Sequence, residues 1–155
     1  MTEQYIREFI THEESLPAEE RPFYHMNCAE NLLRSAARQY DLDVPEEMFR
    51  IVIPYGAGMQ TQNTCGALLG ALGAIGLLYS EEKPSKDLKM KAAVRAYVRL
   101  FQDEFGSLAC AAVKPAFQDE RRTCTPVKVR AGQLLDEVVT DIDAIYADYL
   151  KETGQ

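Results

Sequence analysis

The sequence predicts an all-α fold, a single-domain helical bundle of about five to seven helices, and three observations predict it. Apolar residues recur at spacings of three and four along almost the whole chain. Residues that start and stop helices stand where those stripes begin and end. No alternation of apolar and polar residues lasts long enough for a half-buried strand.

Taken in order, Tyr5, Ile6, Phe9 and Ile10 form one face of a first helix. A linker follows around Ser15-Leu16-Pro17, and Pro22 punctuates it again. Residues 1–22 thus read as an N-terminal helix and linker, and residues 23–155 as a four-cysteine helical domain, one compact domain in all. Asn27 and Glu30 have capping-box spacing and open a helix whose inner face carries Leu32, Leu33, Ala36 and Tyr40. After a turn at Asp41 to Val44, Pro45 starts a short helix reaching about Ile53. Pro54-Tyr55-Gly56-Ala57-Gly58 then opens a loop that ends at Thr64.

Thr64 caps a helix from Cys65 to Tyr79, where Gly66, Gly70 and Gly73 recur beside Ala67, Ala71 and Ala74. Glycine inside a helix costs about 1 kcal/mol relative to alanine, so a cluster of them needs a packing reason. A smooth face lets another backbone approach closely, and a central Gly/Ala-rich helix buried among the others is expected. The alternative is a face kept for a second chain, which would make the protein a homo-oligomer. Lys83-Pro84 is a turn, and Ser85 caps a helix to Phe105, with Gly106 as its left-handed C-terminal residue. A short helical piece holds Cys110 and stops before Pro115. Thr125 caps the last helix, with Pro126 at its first position and a stripe of Val127, Ala131, Leu134, Val138, Ile142 and Ile145.

Composition narrows the function. With 46% hydrophobic and 26% charged residues, a packed core is expected and disorder is not. The formal charge of −7 would repel a polyanion, so no nucleic-acid partner is expected. The most apolar stretch, Ala67 to Tyr79, falls short of the roughly 20 residues that cross a bilayer. The acidic, polar N-terminus has no signal-peptide pattern, so a cytoplasmic protein is expected. A chain of this length folds without disulfide staples, and in the cytoplasm disulfides are mostly transient. The four cysteines therefore invite a chemical reading.

Cys28 follows its cap Asn27, Cys65 follows Thr64, and Cys124 precedes Thr125, so three of the four fall at predicted helix starts. The positive end of the helix dipole stabilises a thiolate there, below the ordinary thiol pKa of about 8.5. A thiolate attacks disulfides and binds metals. No Cys-x-x-Cys occurs, which removes the thioredoxin-type pair and the zinc ribbon. If the cysteines meet, the fold brings them together, and four of them allow three pairings. Four converged thiolates would equally suit zinc or an iron–sulfur cluster.

Asn27-Cys28-Ala29, a glycine-bearing loop, Cys65-Gly66-Ala67-Leu68-Leu69-Gly70, then Phe105-Gly106-Ser107-Leu108-Ala109-Cys110 and Cys124 together resemble the C_GCAxxG_C_C family of redox-active proteins. The resemblance runs from about Asn27 to Val139. It makes Cys28, Cys65, Cys110 and Cys124 the family's defining positions, and it implies a helical fold with a redox role in bacteria and archaea. The loop Tyr55-Gly56-Ala57-Gly58 is sparser in glycine than the resemblance implies.

Three functions are expected from these residues. The first is thiol/disulfide exchange or electron transfer by the four cysteines, as in a thiol-disulfide oxidoreductase, with a redox protein or small thiol as partner. The second is a zinc or iron–sulfur module held by the same four side chains. The third is a helical interaction domain with inert buried cysteines. His25, three residues before Cys28, is a candidate base or ligand, although histidines in such positions more often serve packing or the surface. Arg34 and Arg38 are expected to face solvent. Gly56-Ala57-Gly58 is followed by Gln60-Thr61 and has no strand before it, so no dinucleotide fingerprint is present.

Overall fold

A computed structural model describes residues 1–81 and 86–153. Among the described residues there are eight α-helices and no strand: α1 (Thr2–Ser15), α2 (Arg21–Tyr24), α3 (Cys28–Gln39), α4 (Glu46–Val52), α5 (Gly66–Tyr79), α6 (Leu88–Phe105), α7 (Cys110–Phe117) and α8 (Thr125–Thr153). The all-α expectation holds, but the count exceeds the expected five to seven. The addition is the single turn α2, started by Pro22 near its N-terminus, where a missing N–H costs nothing.

Helix α5 is the hub, packed against α3, α6 and α8. Two of its glycines, Gly66 and Gly70, serve close approach. A Cβ on Gly70 would overlap the Ala29 backbone of α3, and one on Gly66 would lie 2.8 Å from the Tyr55 carbonyl and 3.3 Å from Cys28 Cβ. The smooth face is thus covered by this chain's own α3, as the central-helix reading expects. Leu32, Leu68, Ile75, Phe101, Leu134 and Leu135 close the core around it. Burying such side chains contributes roughly 1.5–3 kcal/mol each. Tyr97 is fully buried and satisfies its hydroxyl on the Ala131 carbonyl of α8 at 3.0 Å.

Helix α1 lies on α3 and α8. Asp136 of α8 accepts from Thr2 N at 2.8 Å, Thr2 Oγ1 at 2.6 Å and the Tyr40 hydroxyl at 2.5 Å, which ties the start of α1 to the end of α3. Gly132 of α8 sits beneath this junction, where a Cβ would come within 2.8 Å of Ile6.

Several helix ends differ from expectation by a residue or more. Asn27 does cap α3, accepting from Ala29 N and Glu30 N at 3.1 Å. Glu30 does not return the favour, because its carboxylate takes Arg34 instead. Arg34 is not the solvent-facing residue expected: it is held between Glu30 and Glu46 and lies 4.0 Å over the Phe49 ring. Cys65, not Thr64, is the cap residue of α5, and Cys124, not Thr125, precedes the first residue of α8. Thr64 is drawn away by a bridge to Ala109. Helix α7 runs through Pro115 to Phe117. The proline removes one bond, to Ala111, whose exposed backbone water can serve. The expected turn at Lys83-Pro84 and cap at Ser85 lie outside the described residues, and α6 starts at Leu88. Gly106 ends it with φ +70°, as expected.

Candidate functional site

Between α4 and α5 the chain makes a 3-10 turn, Ile53–Tyr55, and then an unusual left-handed run. Ala57, Gly58, Met59 and Gln60 have φ of 51°, 62°, 58° and 59°, and Gln62 has 59°. Side chains adopt this region at a cost of about 1–2 kcal/mol per residue. The run is held by Gln60 Nε2 donating to the Gly56 carbonyl at 3.0 Å and by Asn63 N donating to the Gly58 carbonyl at 2.9 Å. Its geometric result is proximity. Gly58 comes so close to α7 that a Cβ would lie 2.6 Å from Cys110 Cβ. Cys110 N donates to the Asn63 carbonyl at 2.6 Å, and Cys65 N to the Leu108 carbonyl at 2.8 Å. These bonds lash the start of α5 to the start of α7.

All four cysteines now fall at helix starts, one more than the sequence indicated. Cys28 is the first residue of α3 and Cys110 the first of α7. Cys65 and Cys124 sit one residue before α5 and α8, their carbonyls accepting from Leu69 N at 3.1 Å and Lys128 N at 2.9 Å. The four side chains share one cavity of about 620 Å³. All four are free thiols.

The four are not equivalent. Cys28 and Cys124 are half-buried, whereas Cys65 and Cys110 are only 5% and 7% exposed. Cys28 and Cys124 lie within hydrogen-bonding reach of each other. That contact, helped by the Lys128 ammonium, outweighs burial and holds the Cys28 thiol below its ordinary range. The same contact, together with burial, pushes Cys124 far up. Burial raises Cys65 as well, although its sulfur faces the free amides of Leu68 and Ala67 without closing a full capping bond. Burial also raises Cys110, reinforced by the neighbouring Cys124. Cys28 is thus the cysteine whose ionisation is eased, and the other three are held toward their thiol form.

The surroundings include residues the sequence reading missed. Lys114 and Lys128 both line the cavity, each four residues after a cysteine on its own helix, Cys110 and Cys124 respectively. That i, i+4 spacing places each ammonium one turn above a sulfur, and it was a legible signal. Arg122 joins them from the turn before α8, where its backbone has φ +61°. His25 stands at the cavity edge, but its Nδ1 donates to Glu13 Oε1 at 2.9 Å. Arg34 is committed to its two glutamates. Among the described residues no three His, Cys, Asp or Glu side chains are placed to hold one metal ion, so the zinc alternative draws no support from the geometry.

A bundle that gathers four free cysteines from four helix starts around one cavity defines a helical thiol protein. More particularly, residues 26–138 match the family described as "Putative redox-active protein (C_GCAxxG_C_C)"; this span takes in all four cysteines and well over half of the chain, and the chain belongs to that family. No curated protein and no solved structure matches it. Among the described residues no helix is long and apolar enough to cross a membrane.

Proposed function

We propose that the protein is a two-electron thiol/disulfide redox protein whose working pair is Cys28 and Cys124. The observation that carries this reading is their pairing at the cavity: a half-buried thiol whose ionisation is eased lies beside a thiol whose ionisation is opposed. A nucleophile and a resolving group need those two states.

The Cys28 thiolate attacks one sulfur of an external disulfide, forming a mixed disulfide and expelling the other half as a thiolate, which takes up a proton. The Cys124 thiol, losing its proton, then attacks the Cys28 sulfur and expels the second half. Two thiols of the protein are oxidised to one disulfide, and one external disulfide is reduced to two thiols. Run backwards, the same exchange oxidises a dithiol partner. Cys65 and Cys110 sit deeper and support the pair by excluding water and by keeping neutral sulfur around a single charge.

Thiol titration tests this. Reduced protein treated with a mild disulfide oxidant is expected to lose two titratable thiols of its four and regain both with a reductant. Four thiols that stay reduced would defeat the reading, as would the loss of all four in unspecific mixtures.

A further inference from the structure

The chain carries 24 acidic and 17 basic residues, yet the wall of the cysteine cavity has the opposite sign. It holds Lys114, Arg122 and Lys128 and, among the described residues, no Asp or Glu. Carboxylates on adjoining segments are engaged elsewhere: Glu13 with His25, Glu14 with Arg121, and Asp119 with Thr123. None of the three wall cations has a carboxylate partner among the described residues, although ion pairs are frequent over the rest of the surface. Lys128 is the sharpest case. The residue is only 8% exposed and lines the cavity, and among the described residues its ammonium has no hydrogen-bond or ion-pair partner. Even with Cys28 ionised, a single negative charge faces three positive ones, and the starts of α3, α5, α7 and α8 add the positive ends of four helix dipoles.

We propose that the cavity selects small disulfides whose arms carry negative charge, with Lys114, Arg122 and Lys128 seating the anionic arms while the disulfide lies over Cys28. This inference rests on the thiol/disulfide reading and adds the substrate class. At about 620 Å³ the cavity suits a ligand of metabolite size. The balance of the step is unchanged: an anionic disulfide R–S–S–R takes two electrons from Cys28 and Cys124 and leaves as two thiols.

The test uses the reduced full chain and three aliphatic disulfides of different charge: 3,3′-dithiodipropionate (anionic), 2-hydroxyethyl disulfide (neutral) and cystamine (cationic). Each oxidation rate is divided by that of the same disulfide with 1-thioglycerol, a neutral thiol that none of the three probes releases, which removes intrinsic reactivity. The expected order is anionic over neutral over cationic, with about ten-fold or more between the extremes at low salt, shrinking as ionic strength rises. The double substitution Lys114→Gln, Arg122→Gln should collapse that ratio, whereas Lys151→Gln at the far end of α8 should not. Suberate, the carbon isostere of the anionic probe, provides a readout without chemistry: it should shift the backbone amide resonances of Lys114, Arg122 and Lys128. No charge preference together with no suberate binding would overturn the inference, and so would a preference untouched by the double substitution. Suberate binding without disulfide formation would leave the anion site standing and refute the redox reading instead.

Discussion

Lys128 stands one helical turn beyond Cys124 on α8, and its ammonium charge acts on Cys28, the first residue of α3, as well as on Cys124. One cation thus serves a pair drawn from two helices, but the two cysteines respond in opposite directions because the shared hydrogen bond dominates.

The pH dependence of alkylation follows from that contact. Cys28 should react with iodoacetamide first near neutral pH, and its rate should level off at lower pH than for a free thiol. Cys124→Ala removes the larger cause and should slow Cys28 labelling several-fold at neutral pH. Lys128→Gln should slow it less, and Lys128→Arg should restore it. For stability the thiols oppose one another. Cys28, held low, stabilises the fold above its unfolded pKa and loses this as pH falls through the folded value. Cys65, Cys110 and Cys124, held high, stabilise it below theirs and lose this as pH rises. Peptide-resolved mass spectrometry over a pH series checks the labelling order.

Glycines of α5 should divide sharply on substitution. Gly70→Ala drives a methyl into the Ala29 backbone and should destabilise by about 1–3 kcal/mol. Gly73→Ala meets only Leu33 methyls at 3.6 Å or more, and Gly76→Ala only Ser80 Oγ at 3.9 Å. Each of these two should gain up to about 1 kcal/mol from helix propensity. Urea unfolding of the three variants decides the order.

The left-handed run before α5 carries side chains where glycine is cheapest. Replacing Met59 or Gln60 by glycine should relieve about 1–2 kcal/mol of backbone strain, offset by about 0.4–1 kcal/mol of added freedom in the unfolded chain. A small net gain in thermal stability is expected for Met59→Gly, whereas Gln60→Gly also loses the Nε2 bond to the Gly56 carbonyl and should gain nothing. Gly58→Ala should do the reverse, because it adds strain at φ +62° and presses on Cys110.

Buried tyrosines make the fold sensitive to alkali. Burial pushes the Tyr97 hydroxyl well above its ordinary value, and burial with an Asp136 contact does the same for Tyr40, as burial with Asp143 does for Tyr79. Raised groups stabilise the fold below the unfolded tyrosine pKa of about 10, and that contribution is lost as pH rises toward the folded values. Ultraviolet titration of phenolate should therefore show three of the eight tyrosines ionising only as helicity is lost.

The helices were legible because their stripes and caps are local: Asn27, Pro45, Gly106 and the long stripe of α8 each mark an element within a few residues of its true end. What local pattern could not show was the pairing. Nothing in the spacing of Cys28 and Cys124 says that α3 and α8 begin at the same place; that depends on Gly66 and Gly70 letting α5 close on α3, and on Gly132 letting α1 close on α8. The rank of the cysteines was hidden for the same reason, since burial and a partner sulfur decide it. Arg34 was misjudged because Glu46, twelve positions away, and the Phe49 ring are brought to it by α4. Lys114 and Lys128, by contrast, are legible in the sequence at four residues from Cys110 and Cys124.

Digestion of the mildly oxidised, alkylated chain, followed by mass mapping of cross-linked peptides, identifies the working pair. A Cys28–Cys124 disulfide that dominates the mixture and disappears on reduction is the expected result. A dominant bond within any other pair, Cys65–Cys110 above all, or no cross-linked peptide in any amount, would contradict it.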